Sequence, residues 1–252
     1  INLTANTKLT LKASDVAIQQ GEQSLAWQTL DITSPIKAIS DESGYQLQSD
    51  RSTLALSELK LSSDSLILSG QALALQLANL DLTLDSDNHI KVAVDSQFNS
   101  QQIAIEQAGN SLSYQSLALD SQLAFLQDAQ HTHAQSDAIN LQLDEFNGDL
   151  INGQSISLQT TKLKADQLTL DQTTDQSPIA TSLSGRQVSL STEGLDSYAS
   201  QDKRLAAWQS SQLSGVNFEQ QGDLFSVQAE RLDVNQISLS DHLDAPDTPA
   251  LA

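Results

Sequence analysis

Residues 54–94 read LALSELKLSSDSLILSGQALALQLANLDLTLDSDNHIKVAV, and the fold class follows from this stretch. Apolar residues fall at every second position in short bursts: Leu54/Leu56, Leu59/Leu61, Leu66/Leu68, Leu73/Leu75/Leu77, Leu80/Leu82/Leu84 and Ile90/Val92/Val94. Period-two alternation puts one apolar row on one face of a pleated strand. The opposite row is Ser, Gln, Asn, Asp and Ala. The bursts recur seven residues apart, at Leu59, Leu66, Leu73 and Leu80. Seven is odd, so each recurrence flips the phase. One face can hold all these leucines only if the chain inserts a bulge, bend or tight turn in every unit, with Ser62-Ser63-Asp64, Gly70 and Ala78-Asn79 as the expected places. A heptad coiled coil shares the spacing, but Ser, Thr, Asn and Asp crowd the positions where a helix takes Ala, Glu, Lys or Arg.

Outward from the ladder the alternation continues. Strands are expected around Lys8–Ile18 and Ser24–Ile32, turned at Gln20-Gly21-Glu22-Gln23, with Pro35 closing the second and Asp41-Glu42-Ser43-Gly44 as the next turn. Beyond the ladder come Ile103–Ile105, Tyr114–Leu119, Ile139–Leu143, Ile156–Leu158, Leu163–Leu170, Ile179–Leu190, Ser211–Phe218 and Leu224–Leu239. Turns are expected at Asp85–Asn88, Gly109-Asn110, Asn147-Gly148, Asn152-Gly153 and Gln221-Gly222-Asp223. Leu123–Ala138, where alternation fails and Ala and Gln concentrate, is the candidate for a short helix or an irregular loop. The reading is an all-β, elongated, twisted, mostly antiparallel sheet folded as an open groove, with at most one short helix. It forms a single domain over residues 1–243, divisible into repeats 1–122 and 139–243, followed by a linker over 244–252 containing Pro246 and Pro249.

The chain has 252 residues, 38% hydrophobic and 17% charged, enough for a sizeable core. Its charge is lopsided: 12 basic against 32 acidic residues, a formal −20. Nucleic-acid binding needs clustered cations to displace phosphate counterions, and these are scattered, so nucleic acid is excluded as a partner. The same field repels anionic membrane surfaces. With no Cys there are no disulfides or thiolate sites, which fits an oxidising compartment. There is no Met, and alternation is already under way at Leu3, Leu9 and Leu11, so a piece of a longer protein is expected, with adjoining segments of that chain as partners and a signal or anchor lying in the missing part. No apolar run approaches the ~20 residues of a membrane helix.

Leu25-Ala26-Trp27-Gln28-Thr29-Leu30 and Ala206-Ala207-Trp208-Gln209-Ser210-Ser211 are alike and hold both tryptophans, which suggests an internal repeat with each Trp as a core anchor plugging one end of the sheet. The second segment, extended as Leu205–Val216 and followed by Phe225–Leu232, resembles the repeating segment of the bacterial AsmA-like (TamB-like) envelope proteins. The Leu-x-Leu-x-x-x-x-Leu-x-Leu pattern at Leu59–Leu68 is similar to their strand repeats. The resemblance implies a periplasmic protein tethered to the inner membrane through an N-terminal segment, with long sheets curled into an apolar groove that carries phospholipid between the inner and outer membranes.

Independently of any family, a lipid conduit needs a continuous, chemically uniform apolar strip, since each buried methylene contributes roughly 0.8 kcal/mol without directional contacts. The groove candidates are Leu54, Leu56, Leu59, Leu61, Leu66, Leu68, Leu73, Leu75, Leu77, Leu80, Leu82 and Leu84. The competing use of the same leucines is a closed core against another sheet. A structural β-solenoid or stalk segment of a secreted adhesin is the alternative function, although a steady coil period is lacking.

Chemistry-bearing motifs are weak. His131-Thr132-His133 puts two imidazoles on one strand face without a clear third ligand beyond Asp128 and Asp137. Asp85-Ser86-Asp87-Asn88-His89 opens like a calcium loop, but Ile90 stands where glycine is needed. Asp41-Glu42 and Asp144-Glu145 would point to opposite strand faces. No nucleophile elbow, phosphate loop or zinc-helix motif occurs, so neither enzyme activity nor a cofactor or metal is expected.

Overall fold

The computed structural model describes residues 2–173, 180–200, 203–222 and 224–239, and they form one all-β layer. The strands are β1 Leu3–Gln20, β2 Gln23–Asp41, β3 Gly44–Ser62, β4 Leu66–Asp85, β5 Ile90–Gln107, β6 Asn110–Gln127, β7 His131–Asp149, β8 Ser155–Thr173, β9 Ala180–Ser200, β10 Lys203–Gln221, β11 Leu224–Gln228, β12 Arg231–Asn235 and β13 Ser238–Leu239. Each of β1 to β10 pairs antiparallel with the next in an open 13-stranded sheet. The last three all lie along β10, at Asn217↔Gln228, Ser214↔Arg231, Ser210↔Asn235 and Ala207↔Ser238. Their register with β10 is the same throughout, so they are one edge strand interrupted twice.

The expected turns at 20–23, 41–44, 62–64, 85–88, 109–110, 152–153 and 221–223 separate strands, and the strands are longer than the sequence bursts suggest because Gly70, Ala78-Asn79 and Asn147-Gly148 lie inside them. Ser62–Leu66 is a hairpin turn, closed by the Ser63 N–H donating to the Leu66 carbonyl at 2.8 Å. Gly70 and Asn79, in contrast, sit within the unbroken β4. Asn79 has φ 53° and marks a register shift against β5 between Ala78 and Asp81. The alternation slips by one residue at Gln71 and again at Asn79. Leu66, Leu68 and Gly70, then Leu73, Leu75 and Leu77, then Leu80, Leu82 and Leu84 thereby all fall on one face. This is the phase flip that the seven-residue spacing demands.

Four expectations are corrected. Leu123–Ala138 is neither helix nor loop: it is the end of β6, a turn at Asp128–Gln130, and the start of β7. Alternation was hard to see there because Ala134 and Ser136 take apolar-face positions and Ala138, at φ 52°, adds a bulge. Asn147-Gly148 lies inside β7, with Gly148 opposite Leu112 and Ile156. Pro35 does not end its strand; it pairs with Lys8 in β2, and its missing N–H falls where the register with β3 shifts, between Thr33 and Lys37. Leu224–Leu239 is broken into three pieces. The linker expected at 244–252 lies outside the described residues.

Two transverse creases cross the sheet. On β1, β3, β5, β7 and β9 the residues Asp15, Glu58, Gln102, Glu145 and Gly194 have φ between 49° and 61°. Gln28, Gln71, Gln115, Gln159 and Gln209 of the even strands fall opposite them in gaps of the ladder, as Gln71 does between the pairs Ser57↔Ala72 and Leu59↔Gly70. A second line runs through Asn79, Ala138, Gln187 and Gly215, each at positive φ. Left-handed backbone costs a residue with a Cβ about 1–2 kcal/mol, so its repetition at one latitude requires a shared cause. Every crease residue except the glycines is exposed. Apolar residues on the other side become buried although no second layer of described residues covers them: Ile103 is 6% exposed, Ala165 3% and Leu195 8%. A single flat layer cannot bury side chains to that degree. The sheet curls over its apolar face, and the creases are the outer side of the bend.

Candidate functional site: the apolar face

The concave face is built from registered rows. Cross-strand partners share a face, and one row is apolar from edge to edge: Leu11↔Ile32, Ile32↔Leu54, Leu54↔Leu75, Leu75↔Phe98, Phe98↔Leu119, Leu119↔Leu141, Leu141↔Leu163, Leu163↔Leu190, Leu190↔Leu213 and Leu213↔Leu232. At the usual spacing between strands this floor runs on the order of 50 Å perpendicular to them. It lies midway between the creases; Ile32 through Leu163 and Leu213 are half-buried, while Leu11, Leu190 and Leu232 are exposed.

All twelve sequence candidates lie on β3 and β4 and on this face, with Leu54 and Leu75 in the floor, Leu56 opposite Leu73 and Leu61 opposite Leu68. They are a small part of it, since nine further strands, β1, β2, β5 to β10 and β12, contribute to the same floor. The sequence signal that would have found the rest is a short tag at the first crease. Trp27-Gln28-Thr29, Gly70-Gln71-Ala72, Tyr114-Gln115-Ser116, Leu158-Gln159-Thr160 and Trp208-Gln209-Ser210 mark successive even strands. Asp15, Glu58, Gln102 and Glu145 recur roughly 44 residues apart, one hairpin per repeat. The likeness of the two Trp segments is the outer pair of this series.

Rows beside the floor carry hydroxyls that bond to one another: Ser34 with Ser52 at 2.6 Å, Ser96 with Ser121 at 2.8 Å, Ser100 with the Tyr114 hydroxyl at 3.0 Å, and Thr192 with Ser211 at 2.7 Å. Ser49, Ser100, Ser121 and Thr192 are buried, small enough to let the backbone bend inward. Gly70 has the same role, since a Cβ there would stand 2.5 Å from Ile103 Cδ1. Trp208 and Trp27 both face inward beside the first crease, at opposite sides of the sheet. Trp208 Nε1–H donates to Thr192 Oγ1 at 2.8 Å, whereas the Trp27 indole N–H and the Thr161 hydroxyl are buried without a partner.

No residue of the floor or of the two rows beside it is charged. Charge lies on the convex face and at the hairpins, where Lys12 pairs with Asp31 at 2.6 Å and Arg204 with Asp196 at 2.6 and 2.8 Å. Asp31 and Asp196 are held below the ordinary carboxylate range, chiefly by those Lys12 and Arg204 hydrogen bonds. Three hairpins at one end of the sheet each begin with an Asp whose carboxylate caps the turn. The Ser43 hydroxyl and N–H lower Asp41, the His89 backbone N–H lowers Asp85, and the Gln130 and His131 N–H groups lower Asp128. At Asp144 partial burial works upward, but Gln142, Ser116 and Thr160 outweigh it and the net shift is downward.

These turns also account for the metal-like clusters. Asp85, Asp87 and His89 bring ligand atoms within 4.8 Å of one another, yet Asp85 Oδ1 already accepts the N–H groups of Asp87 at 2.9 Å and His89 at 3.0 Å. His131 pairs with Asp128 at 3.4 Å and His133 with Asp171 across the β7–β8 ladder. Each imidazole thus has its own carboxylate rather than sharing a metal-like set. Asp144 and Glu145 are adjacent on β7, with Asp144 bonded to hydroxyls and Glu145 at the crease. No described helix is long and apolar enough to cross a membrane. Comparison with protein-family models, with curated proteins and with solved structures returns no significant match.

Proposed function

We propose that this chain is a non-enzymatic, lipid-contacting segment of a bacterial envelope protein, its concave apolar face holding acyl chains of phospholipid in passage through the periplasm. One observation carries the reading: an uncharged apolar floor continuous from β1 through β10 to β12, with no second layer of described residues packed on it. A soluble sheet normally buries such a face against another layer, and an uncovered strip of this extent calls for an apolar ligand. Acyl chains suit it chemically, because they need area and no directional partners. The AsmA-like texture of the Trp208 segment points the same way, and with it to a periplasmic protein tethered at the inner membrane. The strictly antiparallel meander differs from the stacked coils of a solenoid stalk.

The test is organic extraction and mass spectrometry of the purified chain beside an equally acidic soluble control, with photo-crosslinkers at Leu75 in the floor and at Gln71 on the convex side. The expected result is phospholipid enrichment and lipid adducts at Leu75 but not at Gln71. Lipid no higher than the control, or equal adducts at both positions, would sink the reading.

A further inference from the structure

At one end of the concave face, between β5 and β10, the wall opens into a cavity of about 500 Å³, the size of a small-ligand site. Two features create it. Gly148 stands opposite Leu112 on β6 and Ile156 on β8 and contributes no side chain, which leaves a gap in an otherwise filled apolar row. The β9–β10 ladder also slips there: Arg204 pairs with Tyr198 and Ala206 with Ser197, so Leu205 is bulged. Tyr198 and Leu205 then border the cavity together with Phe146 and Ile156. Bulges commonly re-aim side chains at binding sites in this way.

The rim is made of neutral amides and hydroxyls, including Gln107, Asn110 and Gln154, and no lining residue is charged. A carboxylate or phosphate drawn into this cavity would lose water and gain no cation, which is strongly unfavourable. An ester or hydroxyl at the rim would meet amide donors and acceptors. We infer that this cavity is a binding site for one acyl chain carrying an uncharged polar group, such as the glycerol ester of a monoacylglycerol. This deepens the acyl-chain reading by adding one defined site to an otherwise uniform strip.

Gly148 has ordinary extended backbone, and a Cβ there would lie 3.4 Å from Ile156 Cγ2 and 3.7 Å from the Phe146 ring. Gly148→Ala is therefore expected to fit, while Gly148→Leu fills the cavity on a strand that favours apolar side chains. The experiment titrates the purified chain with palmitoyl monoglycerol and, separately, with palmitate at a pH where it is ionised, both below their micellar concentrations. Saturable binding of one monoglycerol per chain is expected, with palmitate at least tenfold weaker. Gly148→Leu should weaken the monoglycerol at least tenfold while Gly148→Ala changes it less than threefold. Equal affinity for palmitate, or an unaltered monoglycerol titration in a folded Gly148→Leu protein, overturns the assignment. Phospholipid co-isolation is measured on the same preparations. Its absence beside Gly148-dependent monoglycerol binding would defeat the conduit reading and leave this site standing, and the reverse pattern would do the opposite.

Discussion

The floor row on the concave side and the crease row on the convex side run in parallel across the same strands, yet they are made of opposite chemistry. The floor is Leu, Ile and Phe in regular extended backbone. The crease is Gln, Glu, Asp and one Gly, with β1, β3, β5, β7 and β9 in left-handed backbone. The floor is fixed by what its side chains do together, the crease by what each backbone must do alone. A residue in the floor is replaceable by any apolar residue of similar size, whereas a crease residue is replaceable by anything polar that tolerates positive φ. Gly194 shows this directly by taking the place that Glu145 and Gln102 hold on their strands.

The largest effect is expected from breaking the floor's uniformity. Leu75→Asp places a charge between Leu54 and Phe98 and should reduce co-isolated lipid at least several-fold. It should also destabilise the sheet by about 2–3 kcal/mol, since the side chain is half-buried and the charge unpaired. Lipid yield by mass spectrometry and the urea midpoint measure the two separately. Leu75→Met, which keeps volume and apolarity, should leave both nearly unchanged.

Next in size is the crease. Gln102→Val puts a β-branched residue at φ 49° and is expected to cost about 2 kcal/mol, whereas Gln102→Gly relieves the same strain and should gain about 1 kcal/mol, both read from urea midpoints. If both variants destabilise alike, the Gln side chain rather than its backbone holds the crease, and the contrast drawn between the rows fails.

Smaller again is the acid response of the capped turns. Asp41, Asp85 and Asp128 have pKa values lowered by the turn N–H and hydroxyl groups. A depressed folded-state pKa adds stability that is fully present above the unfolded value, near 4, and is lost as pH falls through the folded one. Stability should therefore be flat from neutral pH down to about pH 5 and decline below about pH 4. Asp85→Asn and Asp128→Asn should shallow that decline in an acid titration followed by circular dichroism. The smallest effect belongs to Gln71→Ser, on an even strand of the crease with no positive φ, at within about 0.5 kcal/mol of the parent.

Much of this architecture is legible in residues 54–94. The odd spacing of leucine bursts forces slips in the pleat, and Asn79 is such a slip, because a crease needs the same backbone freedom as a turn. What misleads is turn chemistry kept inside strands for other reasons: Gly70 makes room for Ile103, Pro35 sits at a register shift against β3, and Gly148 leaves a gap in an apolar row. The Leu123–Ala138 segment is obscured for a second reason, since Ala134 and Ser136 at apolar-face positions erase the periodicity that identifies a strand. The glutamine tags were within reach but invisible pair by pair. They become a signal only when five strands are aligned. The cavity at Gly148 is out of reach of the sequence, because it depends on a missing side chain in β7 meeting a bulge three strands away in β10.

Because each strand pairs with its neighbours in sequence and the last edge strand is laid along β10 in one register, every ladder closes over a short length of chain. Loop-closure entropy then never grows with the size of the sheet. The chain can fold hairpin by hairpin as it emerges, in the manner of a linear array whose units nucleate independently. Removing the segment from Leu59 to Gln102 joins Glu58 to Ile103 and deletes one repeat, with Glu58 standing where Gln102 stood in the first crease and Asn79 lost from the second. Such a shortened protein should fold at a rate close to that of the parent. A groove assembled by this rule can be lengthened without becoming harder to fold.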